Sequence, residues 1–310
     1  MVSYRCSVPS SAVPRVIAVV GPTATGKSAL GLALAQELDG EVINADSMQL
    51  YRGMDIGTAK LTAAERRGVP HHVLDIWDVT VTASVAQYQW LARRAVADVA
   101  ARGRVPLLVG GSGLYVRAVL EEFAFPGTDP AIRTRLEAEL SMVGAASLHA
   151  RLREVDGAAA AKILPSNGRR IVRALEVIEM TGAPFTAALP DPTPAFPSVQ
   201  IGVDRDTDDL DRRIAERVEH MWASGLLDEV RDLERAGLRA GRTAGRALGY
   251  QQALAQLDGV LTDAQARAAT TQATRRFVRR QRSWFRRDPR IVWLDGASPA
   301  LVADAMAAAR

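Results

Sequence analysis

The segment from Gly21 to Ser28 has the residue types and spacing of a phosphate-binding loop, G-x-x-x-x-G-K-S. Its glycines let the backbone curl so that several N–H groups point at one anion, and the following helix adds its positive end. Lys27 would reach the outer phosphates, and the Ser28 hydroxyl would bind Mg2+. We therefore predict a phosphate or diphosphate site formed by Gly21, Pro22, Thr23, Ala24, Thr25, Gly26, Lys27 and Ser28.

Asp46 is the second candidate for chemistry, because it directly follows a segment, Val42–Ala45, that predicts a strand. Ligands of open parallel sheets bind at the carboxyl ends of the strands, so Asp46 should face the same crevice as the phosphate loop. A carboxylate there can act as a general base or hold Mg2+ through a water molecule. The alternative is a helix cap or a solvated turn residue.

Two further patterns limit the chemistry. Gly110–Gly113 follows the apolar segment Val105–Val109 without the acidic residue that ATP-hydrolysing motors place there. These glycines predict either the close approach of a ligand to the backbone or a tight turn.

His71 and His72 adjoin on a predicted strand, where neighbouring side chains point to opposite faces, so we expect no zinc site and a structural role for His72.

An arginine-rich helix is predicted towards the C-terminus, where residues 275–290 hold eight arginines and one acid, Asp288. The side of this helix that we expect to pack on the core carries Phe277, Val278, Gln281, Trp284 and Phe285. The other side, which forms either a solvated surface or a face that follows a phosphate backbone, carries Arg275, Arg279, Arg282 and Arg286. A second basic cluster consists of Arg169, Arg170 and Arg173, and two such faces predict a cleft around a long polyanion.

The elements that must position these residues alternate between strands and helices. Apolar, β-rich segments recur at Val16–Val20, Glu41–Asn44, His72–Ile76, Val105–Val109, Val199–Val203 and Ile291–Leu294. The alternation predicts an α/β fold, a P-loop NTPase-like parallel sheet with helices on both faces. The most continuously apolar segments, Val16–Val20 and Leu107–Val109, should lie at the centre of the sheet.

The alternation stops between residues 128 and 197, which predict an all-helical insertion. Its helices should start at Asp129-Pro130, at Ala145, at Ala158 and after the capping residue Asn167. Five prolines between Pro184 and Pro197 predict a linker back to the sheet. We thus expect a flexible leader over residues 1–14, a catalytic core over 15–127 and 198–310, and the insertion between them.

Composition sets the class of protein. The 310 residues are 48% hydrophobic and 24% charged, which is ordinary for a globular protein, with a net charge of +4. The single cysteine, Cys6, excludes an intramolecular disulfide framework and a cysteine-based zinc site, and it fits a cytoplasmic setting. No apolar run approaches the ~20 residues of a membrane span, so we expect no membrane partner.

Several segments together resemble one family, the tRNA dimethylallyltransferases, also called tRNA isopentenyltransferases. After the phosphate loop, the block Asp46–Lys60 reads DSMQLYRGMDIGTAK and is far more specific than the loop. The match continues in the family's order through His71-His72, Gly110–Tyr115, Arg170–Glu176, Arg213–Val230 and Arg279–Arg286, and covers about residues 15 to 294. Ser112 stands where a threonine is usual in the family, with the hydroxyl retained, and with a single cysteine we expect no zinc-finger extension of the kind that eukaryotic members carry.

The resemblance implies transfer of the dimethylallyl group from dimethylallyl diphosphate to N6 of the adenosine on the 3′ side of the anticodon. It implies that Asp46 is the general base and that Thr23, Lys27 and Mg2+ on Ser28 stabilise the departing diphosphate, with Arg217 reaching it as well. The helical insertion corresponds to the family's anticodon-arm-binding domain. The tRNA contacts it implies are Asp46, Ser47, Met48, Gln49, Ser112, Arg133, Arg169, Arg170, Arg173, Arg246, Gly249, Tyr250, Gln251, Arg279, Arg280, Arg282, Trp284 and Arg286.

Two rival interpretations remain at this level. A P-loop kinase acting on a small molecule or nucleotide shares the loop, the sheet and a helical insertion, but does not need two basic faces. A non-catalytic RNA-binding protein with a relic loop would not need an intact Gly26-Lys27-Ser28 and Asp46. We expect a monomer that binds the tRNA anticodon stem-loop and dimethylallyl diphosphate.

Overall fold

The computed structural model describes residues 14–123, 125–185 and 193–310. The predicted leader apart from Pro14, the single cysteine Cys6, and residues 186–192 of the predicted linker lie outside the described residues. The described chain forms two compact units, one comprising the residues up to Glu122 with Pro194–Arg310, the other Phe123–Thr193. No helix in the described ranges has both the length and the apolar character that a bilayer crossing requires.

The larger unit is built on one parallel sheet of six strands in the order β3-β2-β4-β1-β5-β6. The strands are β1 (Val16–Val20), β2 (Gly40–Asn44), β3 (His71–His72), β4 (Val105–Gly110), β5 (Ser198–Asp204) and β6 (Ile291–Asp295). Strands β4 and β1 lie at the centre, and Val19 is in register with Val109 on one side and Ile201 on the other. The predicted α/β fold with its two most apolar strands in the middle is confirmed.

Strand β3 is much shorter than the predicted strand His72–Ile76. Val73 and Asp75 adopt positive φ angles of 59° and 54°, which an extended strand does not allow. The backbone N–H groups of Ile76 and Trp77 then donate to the Leu50 carbonyl rather than to a sheet neighbour. The prediction of a strand beyond His72 is therefore wrong, because the chain turns here to pack against the segment after β2.

Helices follow most of the strands and cover the sheet. They are α1 (Lys27–Glu37), α2 (Val85–Ala101), α3 (Gly113–Leu120), α4 (Pro130–Val155), α5 (Gly157–Lys162), α6 (Gly168–Thr181), α7 (Thr207–Ala223), α8 (Leu226–Arg235), α9 (Tyr250–Leu257), α10 (Asp263–Phe285) and α11 (Leu301–Ala309). Alternate residues of β1 enter different cores: Ala18 packs with Tyr88 and Trp222, whereas Val19 packs with Leu30 and Leu34. Both faces of the sheet are therefore buried, as its uninterrupted apolar strands require.

The smaller unit contains α4, α5 and α6 around its own core, which includes Leu136, Leu148 and Leu175. Gly144, with φ 79° and ψ 167°, breaks α4 into two helical segments. The Asn167 side chain caps α6 by accepting a hydrogen bond from the Arg170 N–H, and Gly182 ends α6 in the left-handed conformation. Polar capping residues and glycines thus set the local boundaries of these helices.

Candidate functional site

The phosphate loop links β1 to α1 and is held in a tight curl. Gly21 has φ 131°, and a Cβ there would lie 2.3 Å from the Val203 carbonyl oxygen on the neighbouring strand, so only glycine fits. Gly26, with φ 102°, precedes the first turn of α1. The buried Thr25 hydroxyl donates to the Pro22 carbonyl at 3.0 Å. This curl directs the loop around the N-terminus of α1, where an anion is favoured.

A cavity of about 530 Å³ opens over the loop at the carboxyl ends of the strands. Of the residues predicted for the site, those that line it together are Thr23, Ala24, Gly26, Lys27, Ser28, Asp46, Gln49 and Arg217. Thr58, Gly110 and Arg213 also line it, and the Arg213 Nε donates to the Ala24 carbonyl at 2.9 Å. The geometry therefore places a carboxylate and several cations around one space of small-molecule size.

Asp46 is fixed at the wall of this cavity by its neighbours in the chain. The buried Asn44 accepts from the Asp46 N–H at 2.8 Å and donates to the Asp46 carbonyl at 3.0 Å and to the Val73 carbonyl at 3.1 Å. The Asp46 Oδ1 accepts from the Met48 N–H at 2.9 Å. The backbone on both sides of the carboxylate is thus held by side-chain hydrogen bonds, which orients the carboxylate towards the cavity.

The cations of the cavity are electrostatically tuned. Burial of the ammonium lowers the pKa of Lys27 to about 7, a lowering that Asp46 opposes and Arg217 reinforces. Burial likewise lowers the pKa of Arg217, and Asp46 opposes that shift as well. Lys27 Nζ donates to the Pro22 carbonyl, and Arg217 Nη2 donates to the Thr58 carbonyl at 3.2 Å. An anion in this cavity would stabilise the charged form of Lys27.

The segment after Asp46 is held by a carboxylate that sequence reasoning missed. Glu229 on α8 accepts hydrogen bonds from the backbone N–H groups of Asp55, Ile56 and Gly57 at 3.1, 2.6 and 3.2 Å. It also accepts one from the Tyr250 hydroxyl at 2.6 Å. The loop fixed in this way presents the Thr58 carbonyl, which binds Arg217.

The side chain of Tyr250, one of the predicted tRNA contacts, packs against this loop. Its ring is fully buried and packs against Gly57, where a Cβ would lie 2.4 Å from the ring. Burial and the neighbouring Glu229 carboxylate raise the pKa of Tyr250 well above its usual value. Gly249 is also buried, whereas Arg246 and Gln251 are exposed. The tRNA contact predicted for Tyr250 stays a prediction, and in this structure its buried side chain supports the loop.

Ser112 connects the turn after β4 to the strip that begins at Asp46. Its Oγ accepts from the Ser47 N–H at 3.1 Å and lies 3.2 Å from the Ser47 Oγ. Its N–H donates to the Ala45 carbonyl at 3.3 Å. The hydroxyl at this position thus aligns two loops that the sequence separates by 65 residues.

The arginine-rich helix α10 presents only part of its predicted basic face. Arg279 and Arg280 are exposed. The Arg282 side chain is 15% exposed, and it donates to Asp204 Oδ1 and Thr207 Oγ1, both at 2.9 Å. Arg286 donates to Asp204 Oδ2 at 3.1 Å. The RNA contact predicted for Arg282 stays a prediction, and in this structure Asp204 binds the side chain to the end of β5.

The opposite face of α10 is less buried than predicted, and Phe277 is only half-buried. Val278, Gln281 and Phe285 are buried as predicted, but Trp284 is 36% exposed. Its indole lies against Gly113, where a Cβ would be 2.0 Å from Nε1. The prediction that Trp284 packs wholly on the core is wrong, since it lies at the edge of the apolar stripe beside the turn after β4.

Two predicted tRNA contacts in the smaller unit are organised around a buried carboxylate, Glu176. Arg133 and Arg173 both pair with Glu176, and Arg173 also donates to the Pro126 and Gly127 carbonyls at 2.6 and 2.9 Å. Arg169 and Arg170 are exposed in the first turn of α6. The structure therefore gives Arg133 and Arg173 an internal pairing that the sequence did not indicate.

His71 and His72 both lie within hydrogen-bond distance of neighbouring groups of the protein. His72 Nε2 lies 2.5 Å from Glu41 Oε2, and Arg102 pairs with the same carboxylate at 2.6 Å. His71 Nδ1 lies 2.9 Å from the Val69 carbonyl oxygen, and burial lowers the pKa of its imidazole. Within the described ranges, no group of three or more histidine, cysteine, aspartate or glutamate side chains is arranged to hold a metal.

Several functional residues were not found from sequence, although some left a signal. Asp204 is the last residue of β5 and Asp46 lies two residues after β2, so the strand-end rule applies to both. Arg213 precedes Arg217 by four residues on α7, which places the two on one face. Asn44 is a polar residue at the end of a buried strand. The partners of Glu229 and Gln281 lie too far away in the sequence to leave a local signal.

Comparison with known proteins gives consistent matches. The family model described as IPP transferase matches residues 49–288. A tRNA dimethylallyltransferase of Salinispora arenicola is 72% identical over 295 residues, which cover 95% of this chain and 86% of that protein. One of Streptomyces coelicolor is 68% identical over 283 residues, covering 91% of both chains.

Solved structures agree. The tRNA isopentenylpyrophosphate transferase of Bacillus halodurans is 41% identical with a TM-score of 0.70, covering 94% of this chain and 93% of that one. A eukaryotic dimethylallyltransferase, described as acting on tRNA, is 26% identical with a TM-score of 0.81, covering 95% of this chain and 77% of that one. The sequence and the fold thus point to the same relatives.

Proposed function

The chain belongs to the tRNA dimethylallyltransferase family, a family of prenyl transferases, and from that premise we propose how its own residues carry out the reaction. It transfers the dimethylallyl group from dimethylallyl diphosphate to N6 of the adenosine on the 3′ side of the anticodon in tRNA, and diphosphate is released. The observation that carries this proposal is that Lys27 and Asp46 line one cavity at the carboxyl ends of a parallel sheet.

The donor side of the cavity binds the diphosphate. As the C–O bond breaks, negative charge builds on the bridging oxygen, and preorganised donors lower the free energy of that state. Lys27, Arg217 and the loop amides supply the positive potential, and the Thr23 hydroxyl lies on the same wall. The phosphate loop is thus used to hold a leaving group.

The oxygen donors present suit Mg2+. The Ser28 hydroxyl in the first turn of α1 and the Asp46 carboxylate line the same cavity. Mg2+ prefers oxygen ligands and is usually bound through one or two protein groups together with substrate phosphates. We propose that Ser28 holds the ion, which neutralises diphosphate charge when bound.

The acceptor side holds the adenine. Adenine N6 is a weak nucleophile because its lone pair is delocalised into the ring, so removal of its proton during bond formation lowers the barrier. Asp46, oriented by Asn44, would accept that proton. Because an adenine stacked in an RNA loop cannot reach this carboxylate, the base must be extruded into the cavity.

Binding of the tRNA uses exposed basic side chains. We propose that the smaller unit binds the anticodon arm through Arg169 and Arg170 on α6, and that Arg246, Arg279 and Arg280 contact RNA phosphates. Arg133, Arg173 and Arg286 would contribute while keeping part of their carboxylate pairing. The tRNA substrate suggests a cytoplasmic enzyme, and a monomer suffices because these groups lie on one chain.

One assay tests the proposal against its rivals. The protein is incubated with Mg2+, labelled dimethylallyl diphosphate, labelled ATP and total tRNA. Prenyl label on RNA supports the proposal. Transfer of a phosphoryl group from ATP would indicate the kinase, and binding of tRNA without transfer of either label would indicate a non-catalytic RNA-binding protein.

A further inference from the structure

A buried glutamine, Gln281, connects helix α10 to the phosphate loop and to the turn after β4. The residue is 6% exposed. Its Oε1 accepts a hydrogen bond from the Thr23 N–H at 3.0 Å, and its Nε2 donates one to the Gly111 carbonyl at 2.9 Å. One side chain therefore joins three segments that are far apart in the sequence, and both of its polar atoms are satisfied.

The Thr23 N–H belongs to the same planar peptide unit as the Pro22 carbonyl. That carbonyl accepts hydrogen bonds from Lys27 Nζ and from the Thr25 hydroxyl. Because a peptide unit rotates as a whole, the hydrogen bond from Gln281 to its N–H also sets the direction of its carbonyl. Gln281 thereby fixes the group that holds the Lys27 ammonium.

The close packing around Gln281 depends on a glycine. A Cβ at Gly111 would lie 2.5 Å from Gln281 Nε2 and 3.2 Å from the Gly21 carbonyl oxygen. A side chain at position 111 would therefore displace the amide from its partners. The Gly111 turn after β4 and the Gln281 side chain of α10 therefore pack closely against each other beside the phosphate loop.

We propose that Gln281 is a positioning residue of the diphosphate site. It orients the Pro22–Thr23 peptide, and through it Lys27, towards the departing diphosphate, and it touches no substrate atom itself. This inference rests on the proposed function only in naming diphosphate as the anion.

The test measures binding of inorganic diphosphate with Mg2+, without turnover. Gln281→Met keeps the length of the side chain and removes both hydrogen bonds. Since the Thr23 N–H and the Gly111 carbonyl both lose their partner, we expect the dissociation constant for diphosphate to rise by roughly 10- to 100-fold. The affinity for an anticodon stem-loop RNA, measured without diphosphate, should stay at the wild-type value, which a general loosening of the fold would not allow.

Thr274→Val is the matched control. Thr274 lies on the same helix, and its hydroxyl donates to the Thr270 carbonyl at 2.8 Å, so this variant also loses one side-chain hydrogen bond. It should bind diphosphate like the wild type. Gly111→Ala disrupts the same contact by adding a Cβ close to Gln281 Nε2, and it should weaken diphosphate binding as Gln281→Met does. The double variant should lose little more than either single one, because both changes break the same contact.

Wild-type diphosphate affinity in Gln281→Met would overturn the proposal, and so would an equal loss of diphosphate and RNA binding, or an equal loss in the control. If circular dichroism shows Gln281→Met to be unfolded, Gly111→Ala decides by the same criteria. Failure of the proposed function would appear separately, as a wild-type protein that moves no prenyl group, and would leave these binding constants to be judged independently.

Discussion

At the scale of single residues, the site separates into a proton acceptor and an anion holder. Asn44 brackets the backbone of Asp46, and the Pro22 carbonyl binds Lys27, so each charged group is held by a polar partner within five residues of it. Preorganised groups of this kind act without reorganisation at the moment of reaction. The consequences for Asp46 and Lys27 can be measured apart.

Asp46→Asn should remove the base while preserving shape. We expect the single-turnover rate of prenyl transfer to fall by about 10²- to 10⁴-fold, the usual contribution of a general base. The dissociation constant for tRNA should change little. The exposed Asp39 provides a control, and Asp39→Asn should transfer at the wild-type rate. A variant at position 46 that turns over normally would exclude this carboxylate as the base.

Lys27 predicts a pH dependence of diphosphate binding. With its pKa lowered to about 7, the lysine is protonated below that pH, and there the affinity does not depend on its titration. Above pH 7 binding must take up a proton, because the anion favours the ammonium, and affinity should fall by up to about tenfold per pH unit. Calorimetry in buffers of different ionisation enthalpy measures the proton uptake.

The control for this measurement is Lys27→Arg, since arginine keeps its charge over the whole range. Diphosphate itself titrates equally in both experiments, so the difference between the two pH profiles reports Lys27. Identical profiles would show that Lys27 is already charged in the free protein.

At the scale of elements, helix α10 combines two functions that a helical wheel cannot separate. Its exposed arginines Arg279 and Arg280 can follow RNA, whereas Arg282 is bound to Asp204 at the end of β5. A strand-end carboxylate thus fixes the helix, and the helix in turn reaches the phosphate loop. Substitutions of the arginines on α10 should therefore differ in effect: some should weaken tRNA binding and others should reduce stability.

The double variant Arg279→Ala/Arg280→Ala should weaken tRNA binding and reduce its salt dependence. For each RNA phosphate that the variant no longer neutralises, the slope of log affinity against log salt should become shallower by roughly 0.7 to 0.9. Titrations of tRNA at several salt concentrations measure this slope. An unchanged slope would identify these side chains as a solvated surface.

Arg282→Ala should instead destabilise the fold. Among the described residues, the Asp204 carboxylate, with its side chain 14% exposed, would keep only Arg286 as an ion-pair partner. We expect a loss of about 1 to 3 kcal/mol in the free energy of unfolding, since a half-buried carboxylate loses a charged donor. Urea denaturation measures it, and the exposed Arg276→Ala should cost under about 0.5 kcal/mol. Equal stability of the two variants would contradict the pairing.

At the scale of the whole molecule, local sequence patterns correctly predicted the features that depend on neighbouring residues alone. The apolar segments predicted most of the strands. Asn167 and Gly182 cap the two ends of α6, and the strand-end rule predicted that Asp46 lies at the cavity. The wrong strand prediction and the contacts that the sequence did not predict arise where a distant partner decides the conformation. Val73 leaves the strand conformation beside Asn44, Arg282 meets Asp204 and Tyr250 meets Glu229, each across more than 20 residues of sequence.

The Glu229 contacts affect where the phosphate groups of a polyanion can bind on this protein. Three successive amides, at Asp55, Ile56 and Gly57, form a second cradle of the kind that captures phosphate groups. The Glu229 side chain occupies that cradle. These amides are therefore not available to an RNA phosphate, and they do not compete with the phosphate loop for the leaving group.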